Sequence, residues 1–210
     1  MIRRFATVAA LAASAALAGC GSPSPSPTLA PATWNGAIIQ DPTTKPNVAL
    51  VDTAGHPVNI ATDTQGRVTL VYFGYTNCPD RCPADMAAVA NSLKMLSTGE
   101  RAHISVYFVT TDPARDTPAA LRTFLDRFNP SFIGLTGSAA DLLKAQRSAG
   151  VTLAVPATPS PGHTDYEVDH AAYVLAYGSD GRAHEAFPGG VSVDREAADL
   201  RRLVAGQTPA

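Results

Sequence analysis

Residues 68–83 read VTLVYFGYTNCPDRCP, and this stretch joins a predicted strand to a predicted helix through a turn that carries two cysteines. The run from Val68 to Phe73 is short, β-branched and aromatic, which is typical of a strand buried on both faces of a sheet. After the turn from Gly74 to Cys82, apolar residues recur at helical spacing, at Met86, Val89, Ala90 and Leu93. The pattern therefore predicts the strand–turn–helix unit of an α/β fold.

The two cysteines of this turn, Cys78 and Cys82, are four positions apart. Because Pro83 suits the first position of a helix, we expect Cys82 to be the N-cap and Cys78 to lie in the turn before it. Both sulfurs would then lie near the positive end of the helix dipole, which favours the thiolate form. A disulfide closing so small a loop would add little stability. The pair is therefore better explained by redox chemistry or metal binding.

The rest of the globular part continues the alternation of strands and helices. Thr117 is the expected N-cap of one helix, with Pro118 at its first position, and Ser138 with Asp141 resembles a capping box of the next, which ends at Gly150. The remaining predictions are a hairpin (48–51 and 57–60), strands (104–110, 132–135, 151–155, 166–168, 172–177 and 182–187), a last helix (194–204) and an exposed insertion loop (156–162). The expected architecture is an α/β fold with a mixed central sheet.

One histidine has a position that its surroundings do not explain. His170 lies between two predicted strand segments, where a histidine more often has a structural role. Asp169 beside it could support the imidazole of His170 from outside the ligand set, or it could simply be a turn residue. The other histidines lie in turns, loops or strand ends, and they are His56, His103, His163 and His184. Two thiolates suit Cu(I), and an added imidazole also accommodates Cu(II) or Zn(II).

Four stretches carry a family resemblance: GYTNCPDRCP (74–83), TDPARDTP (111–118), LTG (135–137) and VDH (168–170). In this order they resemble the Sco/SenC family, over nearly all of residues 34–205. The resemblance implies a thioredoxin-like fold with a mixed central sheet, an N-terminal hairpin and an inserted loop or hairpin before the His-bearing strand. It also implies that Cys78, Cys82 and His170 bind copper as Cu(I) or Cu(II).

The family resemblance also implies a function, which is assembly of the dinuclear copper centre of cytochrome c oxidase. The chain would deliver copper, reduce the target cysteines, or do both, with the copper-bearing oxidase subunit or another copper chaperone as its partner. One departure from the family pattern is Ala171, where a serine or threonine is usual, and it removes no ligand. We expect Asp112 to Pro118 to pack against or electrostatically support the cysteine loop.

The first 33 residues predict export and anchoring. Residues 1–20 have the layout of a secretory signal peptide, and their last four, Leu-Ala-Gly-Cys, resemble a lipobox that makes Cys20 the lipidated N-terminus. Residues 21–33 form a Ser/Pro-rich tether, and residues 34–206 are the expected domain. The chain is therefore expected outside the cytoplasmic membrane of a bacterium, held at its outer face by the lipid.

Composition excludes one large class of function. The formal net charge is -2 and no basic stripe is visible, so a nucleic-acid partner is not expected. The expected oligomeric state is a monomer.

Other functions remain to be weighed. The strongest rival is a thiol-disulfide oxidoreductase that uses Cys78 and Cys82 as a redox pair, although thioredoxins have two residues between their cysteines and this chain has three. Whether the protein is also an enzyme is therefore open. A peroxiredoxin is disfavoured because Tyr75 and Val71 occupy the positions of its typical threonine and proline. A catalytic zinc site lacks a nearby general base in the sequence, and a purely structural lipoprotein would leave the motifs unexplained.

Overall fold

An eight-stranded mixed sheet forms the centre of the protein in a computed structural model, which describes residues 33–157 and 165–209. Its strands, in chain order, are β1 (Ala37–Ile38), β2 (Leu50–Asp52), β3 (Pro57–Val58), β4 (Val68–Gly74), β5 (Ile104–Thr110), β6 (Ile133–Thr136), β9 (Tyr173–Tyr177) and β10 (Ala183–Pro188). Their spatial order is β1-β10-β9-β4-β5-β6-β2-β3. A separate antiparallel pair consists of β7 (Val155–Pro156) and β8 (Val168–Asp169).

The described residues also form six helices, and several of these have ends that the sequence predicts. They are α1 (Ile60–Asp63), α2 (Arg81–Lys94), α3 (Thr98–Arg101), α4 (Pro118–Asp126), α5 (Ala139–Ala149) and α6 (Val193–Val204). The side chain of Thr117 accepts a hydrogen bond from the Ala120 amide, and that of Ser138 accepts one from Asp141. Gly150 ends α5 in the left-handed conformation that favours glycine. Both predicted N-caps are confirmed.

The core lies on both faces of the sheet because the central strands are buried on both sides. All seven residues of β4 are buried, as its apolar sequence predicts. One face packs against α2, α4 and α6. The buried cluster on this side includes Leu70 and Phe108 of the sheet and Met86 of α2. The other face packs against α5 and the start of α1. The result is a three-layer α/β/α arrangement, and the predicted α/β fold with a mixed central sheet is confirmed.

Sheet topology brings three distant segments to one end of β4. Strands β4 and β5 are parallel, with Gly74 paired to Thr110, so the segments that follow them leave the sheet side by side. Strand β9 runs antiparallel to β4, with Val71 paired to Leu175. Continuing this register places the residues after Gly74 opposite the residues before Tyr173. The end of β4 therefore meets the loop that carries His170.

Some predicted elements are shorter or placed differently. The expected strand at 151–155 begins only at Val155. His170 lies between β8 and β9, as its position between two predicted strand segments indicates, and not on the strand that the family resemblance implies. Before it, the β7–β8 pair supplies the expected inserted hairpin. Part of the predicted insertion loop, residues 158–162, lies outside the described residues.

The predicted signal peptide, Cys20 and the tether up to residue 32 also lie outside the part of the chain that the structure describes. Within that part, no helix combines the length and apolar character that crossing a membrane requires.

Candidate metal centre

Three side chains from separate segments meet at the carboxyl end of β4. Cys78 lies in the turn after β4, Cys82 is the second residue of α2, and His170 precedes β9. One ligand atom from each lies within 4.8 Å of the other two. Cys82 Sγ lies 3.5 Å from His170 Nε2. The sequence-predicted site residues are therefore brought together.

Helix α2 begins two residues earlier than the sequence predicts. Asp80 is the N-cap, and the Ala84 amide donates to the Asp80 carbonyl at 3.2 Å, so the prediction of Cys82 as N-cap is wrong. Pro83 is tolerated at the third helical position because the amide groups of the first turn have no helical acceptor in any case. This shift turns Cys82 inward beneath the loop.

The two thiols have different surroundings. Cys82 is fully buried, and burial raises the pKa of its thiol well above the ordinary range. Burial therefore favours the protonated thiol at Cys82, in opposition to the helix N-terminus, which favours the thiolate. Cys78 is 8% exposed, and its sulfur accepts a hydrogen bond from the Cys82 amide at 3.3 Å. A backbone amide in the first turn of α2 therefore donates its hydrogen bond to the sulfur of Cys78.

Two tyrosines hold the imidazole of His170 edge-on. The ring centroids of Tyr72 and Tyr75 lie 6.0 and 5.5 Å from that of His170, both at steep interplanar angles. The hydroxyl of Tyr72 donates to Asp85 Oδ2 at 3.0 Å. Sequence reasoning missed this role of both tyrosines. The alternation of β4 could have placed Tyr72 on the face that packs against α2.

The second nitrogen of His170 faces the backbone. His170 Nδ1 lies 3.3 Å from the Ala171 carbonyl oxygen, while Asp169 is exposed. A proton on Nδ1 would therefore have an acceptor, and Nε2 would be left with a lone pair toward Cys82. The backbone carbonyl takes the supporting position that was considered for Asp169. The Ala171 departure leaves this backbone contact intact.

The segment after β5 supports the cysteine loop, as predicted. Asp116 is 1% exposed and accepts hydrogen bonds from the Thr76 amide at 3.1 Å, the Thr76 hydroxyl at 2.6 Å and the Thr110 hydroxyl at 2.6 Å. Asp112 pairs with Arg115. The Arg115 guanidinium lies 3.5 Å from the ring centroid of Tyr166. The segment thereby anchors the loop at Thr76, two residues before Cys78.

The other histidines have local partners or lie apart from the site. His184 Nε2 lies 2.7 Å from Asp180, and His56 Nδ1 lies 3.3 Å from Asp52. His103 is exposed, and His163 lies outside the described residues. Across residues 33–157 and 165–209, Cys78, Cys82 and His170 are the one group of three or more His, Cys, Asp or Glu residues placed to hold a metal ion. Two sulfurs and one imidazole nitrogen fit a soft ion such as copper.

Comparison with known proteins gives a consistent family match. The sequence model of the SCO1/SenC family matches residues 37–205. A protein of Stutzerimonas stutzeri whose name describes it as copper-binding is 36% identical over 145 residues, which cover 68% of this chain and 69% of the relative. The chain spans about half the length of two yeast relatives that it also matches.

Solved structures agree with the fold. The apo Sco1 protein of Thermus thermophilus, solved in solution, has a TM-score of 0.73 at 31% identity, over 81% of this chain and 97% of that one. The ScoI protein of Bradyrhizobium japonicum, solved with copper bound, has a TM-score of 0.66 at 32% identity, over 79% and 99%. These likenesses confirm the expected thioredoxin-like fold.

Proposed function

Because this chain belongs to the SCO1/SenC family, we propose that it binds copper through Cys78, Cys82 and His170 and delivers it during assembly of the dinuclear copper centre of cytochrome c oxidase. The observation that carries the proposal is the convergence of the three ligand atoms within 4.8 Å. A similar chain of Bradyrhizobium japonicum has been solved with copper bound, which supports the choice of metal.

The donor set suits copper as a cargo in either oxidation state. Two thiolates favour Cu(I), and the imidazole nitrogen extends the set to Cu(II). Binding requires the thiol protons of Cys78 and Cys82 to leave. Since burial raises the pKa of Cys82, its thiol proton is released when the metal binds, and copper affinity should rise with pH.

The geometry also supports delivery to a partner. A groove of about 760 Å³ runs beside the site, and Cys78 and His170 lie in its wall. An incoming thiolate can approach the cargo from this open side, since the described residues supply three ligands. Such an arrangement favours exchange of the metal between proteins over permanent storage. The proposed recipients are the copper-bearing subunit of the oxidase or another copper chaperone.

The proposal places the domain at the outer face of the cytoplasmic membrane. Residues 1–20 would be the signal peptide, Cys20 the lipidated residue and 21–33 the tether. An extended chain of this length reaches about 40 Å at ~3 Å per residue. Cys20→Ser should release the protein from the membrane fraction, which fractionation and mass spectrometry of the mature N-terminus would show. An unchanged membrane fraction would contradict the anchor.

The copper site is tested by titrating the reduced full-length protein with Cu(I) against a competing chelator. We expect one tight equivalent, with affinity lowered on the order of 100-fold or more in Cys78→Ser and Cys82→Ser, and more weakly in His170→Ala. His184→Ala is the matched control, because that histidine is bound to Asp180 and lies apart from the site. Equal affinity in the parent and the cysteine variants would contradict copper binding at this site.

A second function, reduction of disulfides in target proteins, is favoured by the state of the two cysteines. Both thiols are free, and their sulfurs lie within 4.8 Å of each other. In the exchange, the pair would become a disulfide while a target disulfide takes up the two electrons and two protons as a dithiol. Equilibration with glutathione at known potentials tests this function. A potential more oxidising than that of the target disulfides would argue against it.

A further inference from the structure

The groove beside the candidate metal centre has an unusual charge distribution. It lies between the cysteine loop and the β7–β8 pair, and Asp80, Glu167 and Asp169 are among the residues that line it. A contiguous groove of about 490 Å³ adds Asp165 and shares Glu167. All four of these acidic residues are exposed. We call these four carboxylates the acidic rim.

None of the four rim carboxylates has a hydrogen-bond or ion-pair partner for its side chain among the described residues. Carboxylates elsewhere in the protein commonly have partners. Asp116 accepts three hydrogen bonds, and Asp52 and Asp180 each lie close to a histidine. The rim therefore presents uncompensated negative charge at neutral pH.

The two arginines at the groove do not neutralise the rim. Arg81 Nε lies 3.6 Å from Asp85 Oδ2, beneath the helix start. Arg115 pairs with Asp112, is 17% exposed and stacks on Tyr166. Each positive charge already has a negative partner behind it. Although the whole chain has a formal net charge of only -2, the field at the groove is dominated by the acidic rim.

The ligands can be reached only by a narrow partner segment. Cys82 is fully buried and Cys78 is 8% exposed, so a flat protein surface laid over the site would not bring its own sulfur to the cargo. A protruding loop can enter a groove of this size. Val155, which is 61% exposed on β7, offers this loop an apolar contact on the wall opposite Cys78.

We propose that the groove is the docking surface for a lysine- or arginine-rich loop of a cysteine-bearing partner protein. This inference rests on the proposed copper delivery and specifies the chemistry of the recipient. The acidic rim would attract the basic loop over about one Debye length, roughly 8 Å at physiological ionic strength, and orient its cysteine toward Cys78. Charge at an interface rim acts mainly on the association rate and its salt dependence.

The test uses three peptides and the full-length protein. One peptide carries a serine flanked by lysines, a second has glutamates in place of the lysines, and a third is the lysine peptide with cysteine instead of serine. Fluorescence anisotropy measures binding of the two serine peptides to the metal-free protein. Stopped-flow measurement follows the transfer of Cu(I) from the loaded protein to the cysteine peptide.

Two double variants separate the acidic rim from overall charge. Asp165→Asn/Glu167→Gln removes two rim charges without touching a residue next to a ligand. Asp41→Asn/Asp63→Asn removes two exposed charges near the other end of the sheet, since residues 39–43 pair beside Ala183 and His184 and α1 lies near the start of β4. Both variants raise the net charge equally, so any difference between them is local.

We expect the lysine peptide to bind about 10-fold more tightly than the glutamate peptide at low salt, and this preference to vanish near 0.5 M salt, about where screening is complete. The rim variant should lose most of the preference and slow copper transfer about 5-fold, while the control variant keeps both. Equal binding of the two serine peptides, or equal losses in both variants, would overturn the docking surface. If Cu(I) fails to bind while the lysine preference persists, the proposed function fails and the docking surface stands.

Discussion

Asp116 shows how one buried carboxylate can set the shape of a loop that carries ligands. It lies in the segment after β5, yet its hydrogen bonds come from Thr76 in the cysteine loop and Thr110 at the end of β5. A carboxylate is acceptor-only when ionised, so it can satisfy several donors at once. Without it, the buried Thr110 hydroxyl and the part-buried Thr76 amide would lose this acceptor.

We predict that Asp116→Ala lowers the free energy of unfolding by about 3 kcal/mol, because it leaves the Thr110 hydroxyl and the Thr76 amide without an acceptor. Asp116→Asn should have a smaller effect, since an amide oxygen still accepts. Urea unfolding of the metal-free protein measures both. Asp126→Ala is the control: this residue forms an exposed pair with Arg122, so its loss should change stability by about 0.5 kcal/mol or less. Equal effects of the two alanine variants would contradict the role of Asp116.

At the scale of elements, the close approach of β4 to α2 depends on Gly74. A Cβ atom at this position would lie 2.6 Å from Tyr72 Cε1 and 2.9 Å from Cys82 Sγ. Both distances are shorter than real carbon contacts, so a side chain here would force the strand end and the helix start apart. Gly74 therefore lets Cys82 lie directly beneath the end of the sheet.

We predict that Gly74→Ala destabilises the protein by about 1–3 kcal/mol and weakens Cu(I) binding, since overpacking at this point displaces the Cys82 sulfur. Thermal unfolding and the chelator competition measure the two effects. Gly99→Ala in α3 is the matched control, because its added Cβ meets no atom closer than 4.0 Å. That variant should be neutral or stabilising by about 0.5 kcal/mol. Unchanged copper affinity in Gly74→Ala would contradict the steric argument.

The long elements were predictable because local pattern and burial agree in them. The run 104–110 is β5, and the helix with Thr117 as N-cap is α4, since an unbroken apolar run or a cap followed by a periodic face has few alternatives. The short elements β1, α1 and α3 were missed. The Ser97–Glu100 capping box was a visible signal for α3. In contrast, β1 has only two residues and exists because β10 pairs with it.

The identity of the residues in the candidate site was predictable, but the burial of their side chains was not. The three candidate ligands could be named from motifs, whereas burial of Cys82 depends on how α2, β4 and the tyrosines pack together. A proline after Cys82 suggested a helix boundary, and only the packed structure shows that the helix starts before it. The raised pKa of Cys82 could not be predicted for the same reason, because desolvation is a property of the folded molecule.

On the scale of the whole molecule, two buried carboxylates hold the beginning of the domain. The Asn35 amide donates to Asp199 at 2.7 Å, and the Gly36 amide donates to Glu185 at 2.6 Å. Glu185 and Asp199 are both fully buried, and Arg202 lies 2.7 Å from Asp199. The segment that leads from the proposed tether is therefore fixed to β10 and α6.

The buried pair of Glu185 and Asp199 should make the free energy of unfolding depend on pH. Burial, together with the neighbouring Asp199, raises the pKa of Glu185 from 4.5 to about 8. Between these values the unfolded chain has lost the proton that the folded protein still holds, so the free energy of unfolding falls as the pH rises. We predict that Glu185 contributes a decrease of about 3 kcal/mol between pH 5 and pH 8, and that Glu185→Gln lacks this contribution.

Denaturant unfolding at a series of pH values measures the difference between the parent and Glu185→Gln, in which the other titrating groups largely cancel. Glutamine keeps an oxygen for the Gly36 amide, so the variant should fold. Glu167→Gln is the control, since that side chain is exposed and should leave the slope unchanged. A parent and a Glu185→Gln variant with parallel pH profiles would contradict the raised pKa.

The separation of the ligands along the chain has a consequence for the order of events in the life of the protein. Cys82 and His170 are 88 positions apart, and only the antiparallel placement of β9 beside β4 brings them together. An unfolded chain carries a local dithiol and a distant imidazole, but no complete site. A site with all three candidate ligands then forms only on folding, and copper bound by all three stabilises molecules that have already formed the β4–β9 pairing. The fraction of copper bound by the imidazole as well as the dithiol would thus measure the fraction of correctly folded molecules.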